Sequence, residues 1–171
     1  SQNFLTSPHW PKKLVSALME NTSADAFWEI GPGLGSLTEV LSQATDKPIT
    51  LFEFDRKLAS YLRGKFPGNE LIEGDVLDAD FNLIIPEKRV GVVSNLPYHL
   101  SSPILFKLAK IRTRTSVLVL TFQREFADRL KARVGDDLYG ALSIICKLQY
   151  SIHSLGILSR SSFYPEPSID S

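Results

Sequence analysis

The chain has 171 residues, of which 43% are hydrophobic and 22% charged, ordinary proportions for one globular domain large enough to bury a core. No apolar run reaches the roughly 20 residues of a membrane-spanning helix, none has a signal-peptide pattern, and a single cysteine, Cys146, excludes an internal disulfide and reads as core filling; a cytoplasmic setting without membrane attachment is expected. Lys/Arg and Asp/Glu balance at 19 each, so net charge points to no partner. Over 107–133, however, Lys107, Lys110, Arg112, Arg114, Arg124, Arg129, Lys131 and Arg133 meet only Glu125 and Asp128, which is either a polyanion-binding surface or two solvated helix faces.

In chain order, a helical pattern covers residues 14–18, after Pro8 and Pro11. Ala26-Phe27-Trp28-Glu29-Ile30 is a short apolar run ending at glycine, as a buried parallel strand does. Residues 34–41 predict a helix, 49–54 a second strand, and 56–66 a helix closed by Pro67-Gly68. A short third strand falls at 71–73 and a fourth at 90–94. Ser101-Ser102-Pro103 predicts a helix start, with serine caps and proline in the first turn. Residues 116–122 predict a strong strand, 124–133 and 138–149 helices, and 152–158 a weaker sixth strand. This alternation predicts a doubly wound, mostly parallel α/β sheet. Residues 1–171 read as one domain. The start lacks Met and the end stops mid-segment, so both ends are expected to be cut.

Glu29-Ile30-Gly31-Pro32-Gly33-Leu34-Gly35 joins the first strand to its helix. Glycines there let the backbone turn tightly and approach a ligand. The spacing departs from the dinucleotide fingerprint, and Pro32 removes a donor amide, which suits a ligand without phosphates. Glu53 ends the second strand, 22 residues after Gly31, where an acid accepts ribose hydroxyls; Asp55 falls on the opposite side if the strand stays regular. Asp75 ends the third strand a further 22 residues on, placed to accept from an adenine amino group, with Val76 against the ring. Ligands of open α/β sheets bind at such strand ends. A nicotinamide enzyme and a methyltransferase would both use these features.

The fourth strand runs into Asn95-Leu96-Pro97-Tyr98. The exocyclic amine of adenine is a poor nucleophile because its lone pair is delocalised into the ring. Acceptors on its two hydrogens, the Asn95 side-chain oxygen and the Leu96 carbonyl, would localise that pair. Pro97 stiffens the turn, and Tyr98 offers a face on which an extruded base can stack. His99 is the next residue of the turn. His9 and His153 lack partners at metal spacing, so no metal is expected.

Together these motifs resemble the KsgA/Erm family of rRNA adenine N6-dimethyltransferases, and within it the dimethyladenosine transferase branch. Gln2-Asn3-Phe4-Leu5 is similar to the family's N-terminal cofactor motif, which implies that Gln2, Asn3 and Leu5 belong to the cofactor site, Asn3 and Leu5 at its methionine end. Glu29, Gly31 and Gly33 match the glycine motif, Glu53 and Asp75 the ribose and adenine acids, and Asn95–Tyr98 the catalytic motif, with Asn95 also at the cofactor. Tyr139-Gly140-x-Leu142-Ser143 and Phe163-x-Pro165-x-Pro167-x-Ile169-Asp170-Ser171 look like the branch's two late signatures, with Phe163 as a second aromatic wall for the base. The resemblance implies a class I S-adenosylmethionine-dependent methyltransferase fold of Rossmann-like type. It also implies S-adenosyl-L-methionine as donor, S-adenosylhomocysteine as product, and two methyl groups on each of two adjacent adenosines of small-subunit rRNA in an immature particle, during ribosome biogenesis. A monomer is expected. The family's C-terminal helical domain is absent from these residues; a seventh strand and that domain should begin at Ser171.

Three other readings compete. A macrolide-resistance methylase of large-subunit rRNA shares the core motifs, and the Tyr-Gly-x-Leu-Ser signature tells against it. A non-catalytic RNA-binding assembly factor is opposed by the intact Asn95/Tyr98 pair and cofactor acids. A nicotinamide oxidoreductase is opposed by Pro32 and by the lack of an acid for hydride transfer.

Overall fold

Residues 26–30 are buried on both strand faces, so the strand they form has to lie inside a covered sheet. The computed structural model describes residues 3–84 and 89–171 and builds that sheet. In chain order its elements are β1 (Phe4–Leu5), α1 (His9–Glu20), β2 (Ala26–Ile30), α2 (Ser36–Ala44), β3 (Ile49–Glu53), α3 (Arg56–Lys65), β4 (Glu70–Glu73), α4 (Phe81–Ile84), β5 (Val90–Asn95), α5 (Ser101–Ala109), β6 (Thr115–Thr121), α6 (Arg124–Lys131), α7 (Ala141–Gln149) and β7 (Phe163–Tyr164). The main sheet has the order β4-β3-β2-β5-β6, and every pairing in it is parallel.

The two-residue period of β2 sorts its side chains between two cores. Ala26, Trp28 and Ile30 join Phe52, Val92, Ile104 and Leu108 on the α5 side. Phe27 joins Leu14, Leu18, Leu37 and Leu41 on the α1 and α2 side. Trp28 is the largest fully buried side chain; its rings meet Phe52 at 5.0 Å and Phe81 at 4.7 Å between centroids. The chain leaves β2 toward β3 and β4 on one side and returns to β5 and β6 on the other. That reversal opens a crevice at the carboxyl ends of the strands, where ligands of such sheets bind.

The sixth strand expected at 152–158 does not form. Gly156 adopts φ +143°, which turns this run out of the extended conformation, and a Cβ there would lie 3.0 Å from the Trp10 ring. Instead Leu158 exchanges both backbone hydrogen bonds with Ser171, at 2.6 and 2.9 Å. The remaining pairing is a short antiparallel one, Phe4 opposite Tyr164 and Leu5 opposite Phe163, too brief to show a periodicity in sequence. The serine caps expected for α5 are also corrected. Leu100 is its N-cap and no side chain caps it, because the Ser101 hydroxyl donates to the Tyr98 carbonyl at 2.9 Å and closes a 3-10 turn over Tyr98–Leu100. Cys146 packs with Leu105 and Leu130, and burial pushes its thiol pKa up. Among the described residues no helix is long and apolar enough to cross a membrane.

Candidate active site

The carboxyl ends of β2, β3 and β4 each deliver an acid to one cleft of about 430 Å³, lined by Glu29, Glu53 and Asp75 with Gly31 and Gly33 between them. The volume is in the usual range for small-molecule sites. The loop after β2 needs its glycines. Gly33 and Gly35 have φ of +58° and +83°; a Cβ at Gly33 would press to 3.1 Å from the Phe4 ring, and one at Gly35 would collide with the Phe66 ring.

Backbone amides aim two of the acids. The Gly33 N–H donates to Glu53 Oε2 at 3.2 Å and the Asp55 N–H to Oε1 at 2.9 Å. Each carboxylate oxygen keeps acceptor capacity beyond that bond. Burial pushes the Glu53 pKa up, while the Asp55 and Gly33 amides pull against it. Asp55 itself caps α3, accepting from the Lys57 and Leu58 N–H groups at 2.8 and 3.1 Å. On the far strand, Asp75 Oδ1 accepts from the Leu77 N–H at 2.8 Å, and Val76 beside it is buried in the core.

Glu29 differs from both. It is 1% exposed, and the Thr38 hydroxyl of α2 donates to its Oε2 at 2.7 Å. Its Oε1 has no hydrogen-bond partner among the described residues. Burial pushes its pKa up to about 8; the Glu53 charge adds to this and the Thr38 bond opposes it. Burial therefore favours the protonated form of Glu29 more than in a free carboxyl.

The other wall comes from β5. The Ser94 hydroxyl donates to the Ile30 carbonyl at 2.5 Å, tying β5 to the root of the glycine loop. The Thr121 hydroxyl at the end of β6 donates to Asn95 Oδ1 at 2.7 Å, and Asn95 Nδ2 donates to the Asn3 carbonyl at 3.3 Å. A carbonyl only accepts, so Asn3 fixes which way the amide faces. Leu96 buries its side chain in the core. Pro97 starts the turn, its carbonyl accepting from the Leu100 N–H at 2.9 Å. The Tyr98 and Ser171 hydroxyls share a hydrogen bond of 2.9 Å. Phe163 is buried, packed with Leu5, Leu158 and Trp10, and reaches the cleft from that seat.

One cleft thus gathers Asn3, Leu5, Glu29, Gly31, Gly33, Glu53, Asp75, Val76, Asn95, Leu96, Pro97, Tyr98 and Phe163; Gln2 lies outside the described residues. Sequence reasoning missed the rings of Phe4 and Phe54 in its lining and the three hydroxyls, of Thr38, Thr121 and Ser171, that brace it. Lone hydroxyls carry no spacing signal, so nothing in the sequence marked Thr38 or Thr121, and Ser171 stood in a late signature with no role attached to it. A larger groove of about 740 Å³ beside β6 has no acid in its wall. The basic stretch 107–133 is not one continuous face. Lys107 Nζ turns inward, donating to the Leu77 carbonyl at 2.5 Å and lying over the Phe81 ring at 4.7 Å, and Arg124 and Lys131 approach Asp128 at 3.9 and 3.0 Å.

The chain is similar to known proteins over nearly its whole length. A family model described as ribosomal RNA adenine dimethylase matches residues 1–171. The ribosomal RNA small subunit methyltransferase A of Malacoplasma penetrans is 36% identical over 170 residues, covering 99% of this chain and 61% of that protein. A dimethyladenosine transferase from Plasmodium falciparum superposes with a TM-score of 0.85 at 34% identity, over 98% of this chain and 60% of that one. The 23S rRNA methyltransferase ErmE superposes with a TM-score of 0.76 at 26% identity, over 98% of this chain and 66% of that one. The chain spans about three fifths of the length of the curated relatives it matches. Its doubly wound parallel sheet is the class I S-adenosylmethionine-dependent methyltransferase fold.

Proposed function

The chain belongs to the ribosomal RNA adenine dimethylase family, and from that premise we propose that it is the catalytic domain of an rRNA adenine N6,N6-dimethyltransferase. Its substrate would be adjacent adenosines of small-subunit rRNA, met by a monomer in an immature particle in the cytoplasm. The observation that carries the proposal is that the Asn95–Tyr98 turn opens on the same cleft as Glu29, Glu53 and Asp75.

The residues present fit S-adenosylmethionine. Its ammonium, ribose hydroxyls and adenine amine are hydrogen-bond donors, and the cleft offers three acids to receive them, one with an unpartnered buried oxygen. Pro32 has no N–H to give a phosphate. Glu53 would hold the ribose and Asp75 the adenine amine, with Val76 against its ring; Gly31 and Gly33 let the loop approach, and Asn3, Leu5 and Glu29 would enclose the methionine end. The cofactor, when bound, supplies a sulfonium methyl open to attack by an amine.

The chain's own task is to present that amine. Asn95 Oδ1 accepts from Thr121 and keeps one further lone pair; with the Leu96 carbonyl it would accept the two hydrogens of the adenine amine and localise its lone pair. Tyr98 and Phe163 would hold the extruded base, whose stacking on an aromatic ring contributes roughly 1–3 kcal/mol. Positioning and preorganised acceptors then supply the rate. No strong base is needed before transfer, because the methylated nitrogen is acidic and sheds its proton afterwards. Basic residues of 107–133 that face outward would contact the rRNA backbone.

The test uses the full-length protein, small ribosomal subunits lacking adenine dimethylation, and labelled S-adenosylmethionine. The expected product is N6,N6-dimethyladenosine at two adjacent positions. Unlabelled rRNA from a protein that binds S-adenosylhomocysteine normally would reject the proposal.

A further inference from the structure

The bond between Tyr98 and Ser171 joins residues 73 positions apart. One belongs to the turn that faces the cleft, and the other ends the segment that follows β7. We infer that Ser171 is a positioning residue for the target base: its hydroxyl restrains rotation of Tyr98 about its first side-chain torsion and so keeps the ring at the wall against which the adenine is held. This inference rests on the functional reading above and names a residue to which that reading gives no role.

A phenol ring at the start of a short 3-10 turn has two free side-chain torsions. Rotation about the first would sweep its face out of the cleft. The turn limits the backbone, through the Leu100 N–H on the Pro97 carbonyl and the Ser101 hydroxyl on the Tyr98 carbonyl. Neither bond touches the ring. Among the hydrogen bonds of the described residues, the one that reaches the ring's far end comes from Ser171.

For Ser171 to act in this way, its own position has to be fixed, and it is. Its N–H donates to the Leu158 carbonyl at 2.9 Å, and its carbonyl accepts from the Leu158 N–H at 2.6 Å. One residue earlier, the Asp170 carbonyl accepts from the Arg124 N–H at 3.0 Å, and Asp170 Oδ1 accepts from the Arg160 N–H at 2.8 Å. Ser171 is buried at 9% exposure, so water competes little for the hydroxyl. These anchors involve backbone groups or the Asp170 side chain. Removing the Ser171 hydroxyl leaves all of them in place and deletes the bond to Tyr98 alone. The segment therefore serves as a fixed post, and the hydroxyl as its contact with the ring. The same segment begins at Phe163, which reaches the cleft from β7, so one stretch of chain would set both aromatic walls.

The test is a double-mutant cycle in the full-length protein with Ser171→Ala and Tyr98→Phe, read twice, as denaturant stability and as single-turnover methyl transfer to undermethylated small subunits. Each single variant is expected to slow transfer roughly 3- to 10-fold, the scale of one net hydrogen bond. The double variant should be no slower than either single one. Ser171→Thr, which keeps the hydroxyl, should restore most of the rate. Affinity for S-adenosylhomocysteine should stay within about twofold in every variant, which a general loss of folding would not allow. Losses that multiply in the double variant, or single variants with unchanged transfer, would overturn the inference while leaving the function standing. A wild-type protein that binds S-adenosylhomocysteine and transfers no methyl group would overturn the functional reading and this inference with it.

Discussion

On the side of β3 and β4 the cleft takes its partners from adjoining loops: Glu53 is held by the amides of Gly33 and Asp55, and Asp75 by the amide of Leu77. On the side of β5 it draws on remote parts of the chain. Asn95 is held by Thr121 and Asn3, 26 and 92 positions away, and Tyr98 by Ser171, 73 positions away. The acids at Glu53 and Asp75 are aimed by groups that no substitution short of proline removes, because every other residue carries an amide. The β5 side is aimed largely by hydroxyls, which a single substitution deletes. Binding of the cofactor should therefore resist mutation better than transfer does.

Glu29 is the exception on the first side, since it is braced by a hydroxyl and buried with one oxygen unpartnered, and it gives the largest expected effect. Its pKa rises from 4.5 in the unfolded chain to about 8 in the fold. A carboxyl shifted upward stabilises the fold fully below its unfolded pKa and loses that contribution as pH rises through the folded one. Without cofactor, the wild-type protein should lose stability between pH 4.5 and about 8, by a few kcal/mol once the buried carboxylate has formed. Glu29→Gln, neutral throughout, should flatten that slope. Denaturant midpoints across the window would show it, and an unchanged slope would remove the account of Glu29. A smaller effect belongs to Thr121→Val, which keeps the shape and deletes the donor to Asn95. It should slow transfer roughly 3- to 10-fold and leave S-adenosylhomocysteine affinity unchanged, with Thr121→Ser recovering the rate. Weakened cofactor binding in Thr121→Val would erase the contrast between the two sides.

The same contrast explains what could be read from sequence. Gly31, Glu53 and Asp75 could be read because each stands at or just past the carboxyl end of its strand, at the same rim of the sheet. Asn95–Tyr98 stood out because its composition suits the chemistry proposed for an adenine amine, and the turn lines the cleft. The pairing of that turn with its partners was not legible, although Ser171 stood in a late signature. Thr121 and Ser171 are single hydroxyls whose role exists only after β6 and the last segment have docked. Thr38 lies nine positions from Glu29, yet a threonine in an amphipathic helix looks like any other. The missing sixth strand failed for a local reason: an apolar run at 152–158 suggested one, and Gly156 took a backbone conformation that strands do not use.

The account's central claim is that one cleft holds two separable jobs, retaining the cofactor and presenting the base. Asn95→Ala tests it most directly, with titration calorimetry of S-adenosylhomocysteine set beside single-turnover methyl transfer. Transfer should fall by roughly 100-fold or more, as when a preorganised polar partner of a transition state is removed. Affinity for S-adenosylhomocysteine should change by no more than a few-fold, because any contact Asn95 makes with the cofactor is one among those of Glu29, Glu53 and Asp75, which the substitution leaves in place. Equal losses in binding and transfer, or transfer that survives the substitution, would contradict it.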